Sequence, residues 1–162
     1  MPTFDVVSEV NMQEVKNALD QANREAGTRF DFKDTNSTIE ISGQDMTLSS
    51  SSADRLKALE QVLEEKLVKR QVSLKCLDRG EVTEGSKGTA RRTIRIVAGI
   101  SSDKAKEINK YIKDLGLKGV SGSIQGDALR VSGKKRDDLQ EVISKLKEHD
   151  FNIPLQFNNF RD

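Results

Sequence analysis

Aromatic side chains are scarce in this chain: six Phe, one Tyr and no Trp among 162 residues. A sheet that reads single-stranded RNA stacks bases on aromatic rings of its central strands, and that mode lacks its usual material here. Cysteine occurs once, as Cys76, which excludes an internal disulfide. Its alternation with Val72 and Leu74 predicts a packing role on an apolar strand face. Histidine also occurs once, so no Cys/His cluster exists to hold zinc, and His149, near the end of a helical pattern, is expected to cap it. Asp137 and Asp138 are adjacent and project about 100° apart on a helix, unlike a converging pair of catalytic carboxylates. Serines 49 to 52 have no histidine near them in sequence. These gaps argue against an enzyme, and no cofactor is expected.

Long apolar runs are missing too, and the opening Met-Pro-Thr-Phe-Asp-Val-Val lacks the regions of a signal peptide. The expectation is a soluble, cytoplasmic chain with no membrane partner. Charge is plentiful but nearly balanced, at +1 overall. Residues 1 to 80 hold 11 Lys+Arg against 14 Asp+Glu, and residues 81 to 162 hold 16 against 12, which makes the second half the better candidate for a polyanion.

What the chain does have is an internal repeat. Ile124, Gly126, Leu129, Val131, Ser132, Asp137, Leu139, Val142 and Leu146 fall on Ile41, Gly43, Met46, Leu48, Ser49, Asp54, Leu56, Leu59 and Leu63, each pair 83 residues apart. Two copies of one supersecondary unit are implied. Phe4 to Ser8 reads as a strand, and Val15, Ala18, Leu19 and Ala22 recur at helical spacing up to Gly27. Arg29 to Lys33 alternates strictly and reads as a half-buried strand with both phenylalanines on one face. Thr38 to Ser42 and Met46 to Ser50 form a hairpin, followed by a serine-capped helix buried through Leu56, Leu59, Val62, Leu63 and Leu67. Val72 to Cys76 reads as a strand, and Asp78 to Thr89, polar and without apolar period, as a linker or long loop.

The second copy runs from a strand at Thr93 to Ala98 into a helix capped at Ser101 or Ser102, buried through Ala105, Ile108, Ile112 and Leu115 and stopped by Gly116. The hairpin of 120–125 with 128–132, a helix buried through Leu139, Val142, Ile143 and Leu146, and a last strand at Leu155 to Phe157 complete it. The prediction is an α+β protein of two tandem ferredoxin-like βαββαβ domains with antiparallel sheets, 1–77 and 90–162, joined by 78–89. Single-strand end elements in such repeats are prone to exchange, so the N-terminal elements could belong to the other domain.

In this architecture helices cover one sheet face and leave the other open. Alternation places Thr93, Arg95, Ser123, Gln125, Arg130, Ser132 and Gln156 on one open face and Thr47, Ser49, Ser73 and Lys75 on the other. Arg95 and Arg130 can hold phosphates there, or they are ordinary solvated residues. Lys134, Lys135 and Arg136 stand where the last helix begins, and cations at a helix start favour an anion, with Asp137 and Asp138 as the alternative counter-charge.

Met1 to Glu9, Arg29-Phe-Asp-Phe-Lys33, Val68-Lys-Arg70, Ile124-Gln-Gly-Asp127, Arg130 to Gln140 and Leu155 to Arg161 resemble, in order and over nearly the whole chain, the bacterial YajQ family. The resemblance implies two ferredoxin-like domains and nucleotide binding. Some members are described as cyclic di-GMP receptors that modulate transcription through a partner regulator, and others are linked to nucleic acid or nucleoside triphosphates such as GTP and ATP. The chain departs from many members at Ala53-Asp-Arg-Leu56, where they carry Asp-Phe-Gln, and at Ser86 to Ala90, which lacks an aromatic found there. By chemistry, phosphates and guanine acceptors call for arginine or lysine and the guanine N–H edge for carboxylates. Arg29, Asp31, Lys33, Arg95, Arg130, Lys134, Lys135, Arg136 and Asp138 supply these types. The leading expectation is a non-enzymatic nucleotide-binding regulator; an RNA- or DNA-associated protein using its basic second half, or a protein-interaction module, are the alternatives.

Overall fold

Asn11, Ser52 and Ser101 each stand immediately before a helix and accept from its first free N–H groups, at 3.1 Å for Gln13 N, 3.2 Å for Arg55 N and 3.2 Å for Lys104 N. They open α1 (Met12–Thr28), α2 (Ala53–Lys69) and α3 (Ser102–Asp114). The fourth helix, α4 (Arg136–Glu148), follows Lys135 with no side-chain cap. Every residue expected to line the apolar stripes of α2 and α4 is buried. No helix is long and apolar enough to cross a membrane.

The computed structural model describes all 162 residues and places nine strands in two antiparallel sheets. The strands are β1 (Thr3–Val7), β2 (Thr38–Ser42), β3 (Asp45–Ser50), β4 (Leu77–Arg79), β5 (Thr83–Glu84), β6 (Ala90–Ile96), β7 (Ser121–Gln125), β8 (Ala128–Ser132) and β9 (Gln156–Arg161). One sheet runs β7-β8-β1-β9 and the other β2-β3-β6-β4, with β5 also pairing β6. The first, with α3 and α4, has the ferredoxin-like connection order starting from β1. In the second, with α1 and α2, β6 occupies the place that β1 holds in the first. The first strands of the two sequence repeats are therefore exchanged.

This exchange corrects the contiguous domain boundaries at 77 and 90. The two units are Met1–Glu9 with Ala98–Asp162, and Val10–Val97. The physical reason is apolar matching at the sheet centres: Phe4 and Val6 are wholly buried beside Leu129 and Val131, and Ile94 and Ile96 beside Met46 and Leu48. The exchange also removes the charge asymmetry. Met1–Glu9 with Ala98–Asp162 hold 12 Lys+Arg against 12 Asp+Glu, and Val10–Val97 hold 15 against 14.

Three local expectations are also corrected. Phe30–Phe32 is a 3-10 turn, not a strand. Residues two apart in such a turn point in different directions, and Phe32 is 4% exposed while Phe30 is 87% exposed. Thr35 Oγ1 donates to Phe32 O at 2.6 Å and closes the turn. Leu74–Cys76 is likewise a 3-10 turn, with Ser73 Oγ accepting from Lys75 N at 3.2 Å, so Ser73 and Lys75 line no sheet face. Cys76 is buried there, and burial pushes its thiol pKa up. Residues 78–89 are no linker: β4 and β5 both pair with β6, and Gly80 N donates to Thr93 O at 2.9 Å. A Cβ at Gly80 would lie 2.8 Å from that oxygen, so glycine permits the close approach.

The exchange makes a direct prediction about fragments. Val10–Val97 holds every strand of its sheet and is expected to melt cooperatively by circular dichroism. Ala98–Asp162 lacks its central strand β1 and is expected to stay unfolded until a peptide spanning Met1–Glu9 is added. A cooperative melt of Ala98–Asp162 alone would contradict the essential place given to β1.

Candidate functional site

The chain leaves β8 through Gly133, where a Cβ would stand 3.0 Å from Leu139 Cδ2 and 3.3 Å from Val120 Cγ2. Glycine thus lets the backbone turn tightly beneath Leu139 into α4. Lys134, Lys135 and Arg136 follow, all exposed. The two lysines make no ion pair or side-chain hydrogen bond, and with no cap the first N–H groups of α4 remain open. Asp137 and Asp138 sit in the first turn and offset part of the helix dipole.

On the side of α4 that faces the sheet edge lies a groove of about 270 Å³, lined by Pro2, Thr3, Arg136, Leu139, Gln140, Ile143, Phe160, Arg161 and Asp162. Its floor is apolar and its rim is polar. Strand β9 shapes it through a bulge: pairing with β1 slips between Thr3 and Asp5, and Asn159 takes φ 55°. The slip returns Phe160 to the same side as Phe157, and both rings lie near Phe4, at 6.0 and 6.1 Å between centroids. Phe160 is nevertheless 61% exposed. Arg136 reaches across the rim, its Nε donating to Asp162 Oδ1 at 2.7 Å, and this carboxylate raises the Arg136 pKa.

The other candidate residues lie elsewhere. Arg130 is on the open face of its sheet, where its Nε donates to Asp5 Oδ1 at 3.0 Å; Asn159 Nδ2 donates to the same carboxylate at 2.8 Å. Arg95 lies on the open face of the second sheet, opposite Asp45 on β3 and Asp78 on β4. Arg29 closes on Asp31 at 2.7 Å and Glu25 at 3.1 Å and lies over the Phe32 ring, 5.1 Å from its centroid. Arg55 adds a bond from its Nη1 to Asp31 O at 3.1 Å. Lys33 is exposed beside this cluster. Lys134, Lys135, Arg136 and Asp138 lie together at the start of α4, where Arg136 alone of the four lines the groove, while Arg29 and Asp31 form a separate ion-pair cluster and Arg130 is engaged by Asp5.

Phe160, Gln140, Arg161 and Asp162 did not emerge as site residues from the sequence. Strict alternation through β9 would have put Phe157 and Phe160 on opposite faces. The adjacent Asn158 and Asn159 were the available signal, since asparagine tolerates positive φ and marks a bulge. His149 follows α4 and donates its backbone N–H to Lys145 O at 3.3 Å. Its ring packs 4.8 Å from Tyr111 and 4.5 Å from Phe151.

A family model described as nucleotide-binding protein YajQ-like matches residues 2–161. Similar curated proteins run the length of the chain. A nucleotide-binding protein of Thioalkalivibrio sulfidiphilus is 49% identical over 162 residues, covering 100% of both chains. One from Parafrankia is 51% identical over 160 residues, 99% of this chain and 98% of its own. One from Desulfitobacterium hafniense is 52% identical over 159 residues, 98% and 97% of the two chains.

The Arg130 guanidinium beside Asp5 holds its carboxyl below the usual aspartate range, burial opposes the shift, and Asn159 adds to it. A depressed folded-state pKa contributes stability that is present above the ordinary aspartate value and is lost as pH falls through the folded one. Asp5→Asn should be less stable at neutral pH, and its difference from the native chain should shrink as pH falls through that acid window, as read from urea midpoints. A difference independent of pH would remove the carboxylate from the acid sensitivity.

Proposed function

The chain belongs to the YajQ-like nucleotide-binding family, and from that membership we propose that it holds its nucleotide in the groove between α4 and β9. The observation that carries this reading is an uncapped helix start bearing Lys134, Lys135 and Arg136 beside a groove that contains an exposed phenylalanine ring. The phosphate is held by these cations and the open N–H groups of α4. The base lies on Phe160, an aromatic platform of a kind contributing about 1–3 kcal/mol per base. Gln140 offers one donor and one acceptor to the base edge.

Asp162 stands where the ligand must compete. Its carboxylate pairs with Arg136, both side chains being more than 70% exposed, at 73% and 71%. Solvent screens so exposed a pair strongly, so a phosphate displaces it at small cost. Cyclic di-GMP is the ligand that the family resemblance favours, with Arg136 and Arg161 for the guanine acceptors. In this reading the protein is a non-enzymatic receptor that passes its state to a transcription-regulating partner. The engagement of His149 with Tyr111 and Phe151 supports binding over catalysis. The near neutrality of each unit withdraws the charge argument for a nucleic-acid backbone.

Calorimetric titrations with cyclic di-GMP, GTP, ATP and a short single-stranded RNA at two salt concentrations test the proposal. Replacing Lys134, Lys135 and Arg136 together with Ala should weaken nucleotide binding at least about tenfold and leave Tm nearly unchanged. Asp162→Asn should tighten it by up to about fivefold. Phe160→Ala should weaken nucleotides while sparing inorganic pyrophosphate. Unchanged affinity in the triple variant would remove the groove from the mechanism, and heat with RNA alone that collapses at high salt would replace it with a backbone-binding surface.

A further inference from the structure

The open face of the β2-β3-β6-β4 sheet carries two arginines with opposite surroundings. Arg95 has Asp45 and Asp78 as its cross-strand neighbours, whereas Arg91, on the same face of β6, has Ser49 and Thr83. Arg91 is exposed and makes no ion pair or side-chain hydrogen bond. It lines a cavity of about 460 Å³ whose wall is mostly hydroxyl-bearing. That volume falls within the usual span of small-ligand sites, about 300–1,000 Å³.

Counting protons sorts the lining. Thr35 Oγ1 donates to Phe32 O at 2.6 Å, so Ser37 must donate to Thr35 across 2.7 Å, and Ser50 to Ser37 across 2.8 Å. Thr83 Oγ1 donates to Arg91 O at 3.4 Å and Thr89 Oγ1 to Ser86 O at 3.0 Å. The hydroxyls of Thr35, Ser50, Thr83 and Thr89 are thereby engaged with the protein. Asn36, Ser49, Ser51 and Arg91 keep donors with no protein acceptor. The wall is held in place without a ligand, because Gly85 N donates to Thr89 O at 2.8 Å; a Cβ at Gly85 would lie 2.6 Å from Thr89 Oγ1 and would displace that hydroxyl.

We infer that this cavity is a second, independent binding site, and that it takes the phosphate group of a small phosphate monoester. A guanidinium with three neutral donors around one cavity suits a single tetrahedral oxyanion. Glu84, the one carboxylate of the lining, opposes additional negative charge and selects against a polyphosphate chain. The site stands apart from the α4 groove in sequence, in unit and in its lack of an aromatic platform.

Inorganic phosphate is the probe, titrated into the full chain and into the Lys134, Lys135 and Arg136 triple-Ala variant while amide-correlation NMR spectra are recorded. The expected result is saturable shifts of the amides of Ser49–Ser52 and Thr83–Arg91 in both proteins, weakened about tenfold by Arg91→Gln. The Ser49→Ala/Ser51→Ala double variant, which keeps the cation, should weaken it about fivefold. Should Arg91→Gln fail to fold, the serine variant and the native shift map decide. Shifts confined to Lys134–Asp138, shifts lost with the triple variant, or no shifts at all would overturn the second site. Failure of the α4 groove alone would leave these shifts intact.

Discussion

Each sheet depends on a central strand that comes from the other sequence repeat. A strand at the centre of a sheet donates and accepts along both edges and buries one whole face, so it contributes more than an edge strand of equal length. β1 fills that place between β8 and β9, with Phe4 and Val6 at 0% exposure. β6 fills it between β3 and β4, with Ile94 and Ile96 at 0%. The duplicated elements of helix and hairpin are thus completed by strands that the repeat itself does not place beside them. The boundaries of the folded units, and the charge each unit carries, follow from this exchange.

With the helices on one face, the open faces carry the polar residues, and these are largely matched in charge. Asp5 answers Arg130, and Asp45 with Asp78 flank Arg95. The chemistry available to a ligand therefore lies where matching lapses. At the start of α4 there is no cap and two lysines have no partner; near the start of β6, Arg91 has the hydroxyl-bearing Ser49 and Thr83 as its cross-strand neighbours. A helix start that is left open costs the fold the stabilisation that Asn11, Ser52 and Ser101 give the other three helices, roughly 1 kcal/mol each. An anion at the first N–H groups would recover part of that loss.

The groove beside α4 also depends on a single backbone irregularity. Without the slip between Thr3 and Asp5 and the positive φ at Asn159, Phe160 would turn to the open face and leave the side of Leu139 and Ile143. The bulge is what sets a ring beside Arg136. In the proposed reading this juxtaposition pairs a phosphate contact with a base platform.

The sequence by itself determined the two repeats, the four helices and their buried stripes, both hairpins with their glycine turns, and the cluster of Lys134 to Arg136 at a helix start. These are local properties: a period, a cap or a turn residue acts within one or two turns of backbone. It was silent or misleading where distant segments compete for one place. Arg29 to Lys33 and Val72 to Cys76 alternate like strands, but both close as 3-10 turns on local hydrogen bonds. Residues 78–89 have no apolar period, yet their backbone completes a sheet edge, because an exposed strand needs a ladder and not a buried side chain. Which repeat received β1 and which β6, and on which face Phe160 stood, only the tertiary structure decided. Both choices rest on hydrogen bonds between residues far apart in sequence, and no periodicity records the partner at the other end of such a bond.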